Sequence, residues 1–167
     1  ARKLSNYPLM QTAFNGMGSL YHEKGKHEEA LRYYQRALSI ARKLQDLTAA
    51  ATIALNISGA YKEVNKLEDA YTYLVYALNT LESSPVKTTH NWLHIVMCHV
   101  RLAEVYRRRR LFDKAVQSLD KVDEIIAGKT YLEPFLFSQH FVRLKIFYDE
   151  EKDDEFEREL VKVKELA

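Results

Sequence analysis

The stretch FNGMGSLYHEKGKHEEALRYYQRALSIARKL, residues 14–44, decides how this chain reads. In its first half Phe14, Met17, Gly18 and Tyr21 fall at i, i+3, i+4 and i+7, the spacing of one helical face. In its second half Ala30, Tyr34, Ala37 and Leu38 fall at i, i+4, i+7 and i+8, again one helical face. Lys24-Gly25-Lys26 interrupts the pattern, and Gly25 suits the left-handed conformation that ends a helix. The segment is therefore two amphipathic helices joined by a tight turn. The small residues Gly18, Ala30 and Ala37 mark close approach of the two helices, and Tyr21 and Tyr34 fill the space beside them.

The unit repeats. Tyr21, Ala30 and Ala37 recur 40 residues later as Tyr61, Ala70 and Ala77, and the first two recur after a further 45 as Tyr106 and Ala115, with Val122 in the place of Ala77. A fourth, degraded copy sets Phe147, Phe156, Leu160 and Val163 at the same relative positions. Ala1-Arg2-Lys3-Leu4 returns as Ala41-Arg42-Lys43-Leu44. A period of this size means stacked helical hairpins, none of which can bury its apolar face alone.

These residues resemble the tetratricopeptide repeat. The Gly/Ala-x-x-Tyr of that family's first helix is matched at Gly18/Tyr21, Ser58/Tyr61 and Ala103/Tyr106. The small residue opening its second helix is matched at Ala30, Ala70 and Ala115, and the large residue four positions on at Tyr34, Leu74 and Leu119. The period exceeds the usual 34 residues, no proline closes a second helix, and the fourth copy lacks both small residues. The long period is similar to the extended-helix variety of kinesin light chains and bacterial regulators. The resemblance implies an all-α fold, a right-handed superhelical solenoid of about eight helices in antiparallel pairs. It also implies a non-catalytic scaffold that binds a protein or peptide segment, with no cofactor, as the regulatory region of a larger, bacterial, cytoplasmic signalling protein.

Composition agrees with helix: five Gly and three Pro in 167 residues. A net charge of +2 gives no general attraction to nucleic acid. The lone cysteine, Cys98, excludes an internal disulfide and reads as a buried core thiol. No apolar run approaches the roughly 20 residues a spanning helix needs. We expect hairpins at about 7–44, 47–82, 88–127 and 132–166 in a single domain, with Asp46 capping the third helix and Asn65 replacing the turn glycine. Residues 1–6 read as the tail of a preceding repeat, so the chain reads as a piece of a longer protein.

By the resemblance the first helix of each pair lines a concave groove. Its polar positions would be Asn15, Ser19 and His22 in the first copy, Asn56 and Lys62 in the second, and Arg101, Glu104, Arg107 and Arg108 in the third. Amides suit a peptide backbone, and arginines suit acidic groups. Against this, Arg107-Arg108-Arg109-Arg110 is also what a solvated helix end looks like, where cations meet the dipole. His90 and His94 share a helical face, but no third metal ligand is near in sequence, so no metal is expected. Neither a phosphate-cradling glycine loop nor a nucleophile motif is present, which argues against an enzyme. Two other readings stand beside peptide binding: self-association through the end hairpins, and an RNA-binding helical repeat, which would need a basic stripe across successive copies.

Overall fold

The computed structural model describes residues 6–166, so the expected tail of a preceding repeat lies, but for Asn6, outside the described residues. Eight α-helices and one 3-10 turn make up the described chain, and no strand occurs among these residues. They gather in two compact units that divide between His94 and Ile95.

The first unit holds α1 (Tyr7–Glu23), α2 (His27–Lys43), α3 (Leu47–Glu63), α4 (Leu67–Glu82) and the opening turn of α5 (Thr89–Arg108). Helices α1 and α2 form one hairpin, α3 and α4 the next, and α2 packs on α3. The core joins Ala30, Leu31, Tyr34, Ala37, Leu38 and Ala41 of α2 to Ala50, Ile53, Ile57 and Ala60 of α3. Repetition extends to ring stacking: Tyr21 lies on Tyr33 with centroids 5.2 Å apart, and Tyr61 on Tyr73 at 5.6 Å. Asp46 caps α3 as expected, accepting from the Ala49 N–H at 3.0 Å.

The second unit continues α5 and adds α6 (Phe112–Ile126), a 3-10 turn (Thr130–Leu132), α7 (Pro134–Asp149) and α8 (Asp153–Leu166). Ala103, Ala115, Leu119, Val142 and Ile146 form its core, with Tyr106 and Phe147 packed against it. Cys98 is fully buried, as the sequence indicates.

One turn closes every hairpin. The carbonyl of Tyr21, Tyr61, Tyr106 or Phe147 accepts from the N–H five residues on (Lys26, Lys66, Leu111 or Lys152), at 2.9 Å in each case. The residue before that donor has a positive φ: Gly25, Asn65, Arg110 or Glu151. This is the Schellman closure, which satisfies carbonyls that the ending helix leaves without partners. The same closure, at Gln45, joins α2 to α3. Gly25 and Asn65 are the positions where the sequence points to it. Gln45, Arg110 and Glu151 adopt the same conformation against their local preference, because the hairpin geometry overrides it.

Candidate functional site

Helix α1 ends its contact with α3 on a polar face. The Asn56 side-chain amide donates to the Asn15 carboxamide oxygen at 3.1 Å, linking two helices that carry the same repeat position one residue apart. Beside this pair opens a cleft of about 300 Å³ lined by Gln11, Thr12 and Asn15 of α1, Asp46, Thr48 and Thr52 at the start of α3, and His90 of α5. His94 Nδ1 lies 2.9 Å from the His90 carbonyl, so that nitrogen carries the proton, and its Nε2 faces Thr52 Oγ1 at 3.5 Å. The cleft walls carry amides, hydroxyls, an imidazole and one carboxylate, with no lysine or arginine among them.

The other expected groove residues of the first unit face local partners. Ser19 accepts from the Tyr34 hydroxyl at 3.2 Å and donates to the Asn15 backbone carbonyl at 3.3 Å, which bolts α2 to the asparagine's own turn. His22 turns toward α2, its Nδ1 3.1 Å from His27 Nδ1. Lys62 pairs with Glu63 at 3.1 Å, on the half-exposed surface.

In the second unit Glu104 and Arg107 meet through two parallel bonds, Nε to Oε2 at 3.0 Å and Nη2 to Oε1 at 2.9 Å. Arg107 Nη1 also donates to Asp149 at the end of α7, and Arg108 Nε lies 3.6 Å from Glu104. The hydrogen bond that Arg107 donates to Glu104, and then the Glu104 charge and the bond and charge of Asp149, hold the guanidinium protonated beyond the ordinary arginine range, against the desolvation of partial burial. Arg107 is thus a clasp between α5 and α7, with its fork already filled by carboxylates. Arg101 sits half-buried in the middle of α5.

A polar cluster that sequence reasoning missed lies among α6, α7 and α8. Gln139 Nε2 donates to Asp123 at 2.8 Å and lies 3.0 Å from His140 Nε2. That nitrogen must accept, so the His140 proton sits on Nδ1 and is given to Glu159. Arg143 reaches Asp123 at 2.9 Å and Asp120 at 3.2 Å. Gln139 and Glu159 are almost wholly buried. The signal was available in the repeat: Gln139 and Arg143 occupy the places that Ile53 and Ile57 hold in the second copy and Cys98 and Leu102 in the third. Among the described residues no three His, Cys, Asp or Glu side chains converge as metal ligands, and no helix is long and apolar enough to cross a membrane.

Residues 9–83 match the family model described as tetratricopeptide repeat. The human Protein O-mannosyl-transferase TMTC1 is 27% identical over 105 residues, which is 63% of this chain but 10% of that protein. The crystal structure of BtubC (BKLC) from P. vanneervenii superposes with a TM-score of 0.81 at 18% identity, covering 96% of this chain and 64% of that one. This chain therefore spans a tenth of the human relative and under two-thirds of the structural one, and the structural likeness is one of fold. Transferase activity is named for the human protein, whereas tetratricopeptide repeats themselves generally serve as non-catalytic scaffolds for protein–protein interaction. The small–aromatic pairing of the first three copies and the turn shared by all four accompany a match to the tetratricopeptide-repeat family model across residues 9–83, the first two hairpins.

Proposed function

We propose that the chain binds an extended protein segment along the polar face of α1 and α3, and that Asn15 and Asn56 read its main chain. The observation that carries this reading is the asparagine pair. Their mutual bond uses one amide hydrogen of Asn56 and one lone pair of Asn15. Outside that bond stand the Asn15 NH2 and the Asn56 carbonyl, a donor and an acceptor of the kinds that complement the C=O and N–H of a peptide unit. Thr12, Thr48 and Thr52 extend the row with hydroxyls.

The lining also sets the partner's charge. Asp46 is the cleft's one carboxylate and no cation faces it, so the segment bound here is neutral or basic rather than acidic. An RNA strand is disfavoured on the same ground. This region would serve as the recognition part of a longer regulatory protein.

The test is selection of linear peptides from a displayed random library on the immobilised chain, followed by titration of the winners by fluorescence anisotropy. Asn56→Ala should weaken binding about 5–30-fold, the value of one or two directed hydrogen bonds at about 1 kcal/mol each. Methylating the peptide nitrogen that faces Asn56 should cost a similar factor and add nothing further in the Asn56→Ala background. Winners whose affinity is unmoved by Asn15→Ala and Asn56→Ala together would refute the assignment.

A further inference from the structure

We propose that a pocket where α2 meets α3 binds a small aromatic carboxylic acid, at a site distinct from the asparagine face. The cavity measures about 410 Å³. Its walls are Ala41 and Arg42 at the end of α2, Gln45 in the turn, Leu47 and Ala50 of α3, and Tyr76 of α4. It shares only Asp46 with the cleft of α1 and α3.

The repeat register shows why space is left here. Ala41 and Ala50 belong to one core cluster, and at the next two joints the same two positions hold Leu81 with Ile95 and Ile126 with Leu136. Two alanines thus stand where later copies carry bulky aliphatic side chains. Tyr76 departs from its equivalents too, Arg36 and Lys121, and supplies a half-buried aromatic wall. The volume falls within the roughly 300–1,000 Å³ of small-molecule pockets, whose linings are likewise apolar with a few polar groups.

Those groups select the ligand. The alanine methyls, Leu47 and the Tyr76 ring suit a flat apolar body. The Arg42 guanidinium lies over that ring, its Cζ 4.9 Å from the centroid, and among the described residues no carboxylate pairs with it. Stacking by its face leaves the donors in the guanidinium plane for a carboxylate to meet two at once. Asp46 is the pocket's own anion, but its Oδ1 accepts the Ala49 N–H at the start of α3, where the helix dipole offsets its charge. The unmatched charge is the cation, and the Gln45 amide beside it adds a neutral hydrogen-bonding group.

The test is titration of the isotope-labelled 167-residue chain with hydrocinnamate and indolepropionate, followed by NMR. Saturable shifts should centre on the amides of Ala41, Gln45, Leu47 and Ala50 and spare Thr12 and Asn15, which separates this site from the asparagine face. Ligands of about a dozen non-hydrogen atoms should bind with a dissociation constant on the order of 0.1–1 mM. Their primary amides should bind about tenfold more weakly, and Arg42→Gln should remove that difference by weakening the acids alone. Arg42 and Leu47 are exposed, so neither variant endangers the fold; Leu47→Ser should weaken acid and amide alike, by about threefold. No saturable shift, shifts centred on the cleft, equal affinity for acid and amide, or an acid preference that survives Arg42→Gln would each overturn the proposal. A peptide with a free C-terminal phenylalanine that binds more than about tenfold tighter than hydrocinnamate would overturn it as well, by identifying a protein terminus as the occupant.

Discussion

Gly18 and Tyr34 offer the sharpest test of how these hairpins close. A Cβ built on Gly18 would sit 2.5 Å from Cδ1 and Cε1 of Tyr34 and 2.9 Å from its Cγ, so α1 lies directly on the tyrosine ring. The ring is 2% exposed and its hydroxyl is tied to Ser19, which leaves it little room to move aside. Gly18→Ala should therefore destabilise. Overpacking a buried site by one carbon costs about 1–3 kcal/mol, and replacing a mid-helix glycine by alanine returns about 1, leaving a net loss of up to about 2 kcal/mol. The other copies show the remedy. The equivalent positions hold Ser58 with Leu74 and Ala103 with Leu119, so a Cβ on the first helix goes with leucine on the second, and the ring goes with glycine.

Tyr34→Leu alone should cost about 2–3 kcal/mol, from the void left over Gly18 and the lost bond to Ser19. The double variant recreates the second and third hairpins' pairing, so its loss should fall short of the sum by at least about 1 kcal/mol. Urea titrations of the four proteins at one temperature give this coupling directly, and melting points should follow at about 2–4 °C per kcal/mol for a chain of this size. Additivity within about 0.5 kcal/mol would refute the size-matching argument.

The turns, a phenol and the buried cluster give three more. Gly25→Ala should cost about 1 kcal/mol by urea denaturation, purely through the backbone, since no atom lies within 4 Å of the added carbon; Arg110→Gly and Glu151→Gly should each relieve strain and move the midpoint the other way. Burial, and then the charges of Tyr73 and Asp69, raise the Tyr61 pKa, so the folded protein holds that proton longer than the unfolded chain. Its stabilising contribution is complete below the ordinary tyrosine pKa and disappears as pH climbs through the raised value, so Tyr61→Phe should flatten the alkaline loss of stability in melts above about pH 10. Glu159→Ala should cost about 3 kcal/mol and release α8 first in hydrogen exchange, because it strips the acceptor from His140 and a partner from Lys162 inside the cluster.

What could be read from the residues divides along physical lines. Periodicity gave eight helices in consecutive pairs, because burial of one face dominates each helix. The Asn15–Asn56 pair was partly legible, since both were placed on the groove face; that they bond each other depends on the approach of α1 to α3, which no local pattern encodes. Gln11, Thr48 and Thr52 were not singled out, being polar residues that also read as plain helix surface. The arginine run divides at Arg107, which the sequence offered to an acidic partner and the fold gives to Glu104 and Asp149. Glu104 was legible at i−3, but Asp149 is 42 residues away.

The same repeat position is built in two chemistries, and that difference organises the molecule. Where α3 meets α2 the contact is alanine, isoleucine and leucine, which is non-directional and holds through area alone. Where α7 meets α6 the corresponding side chains are Gln139 and Arg143, held by Asp120 and Asp123. Bonds of that kind are directional and fix one register, while contributing less net stability than apolar packing of equal area. Asp120 and Asp123 are about half-exposed, so salt screens their pull on Arg143, whereas Glu159 beneath is shielded from it. The α6–α7 contact therefore depends on ionic conditions more than the apolar α2–α3 contact does. The proposed recognition face of α1 and α3 rests on a joint that salt does not weaken.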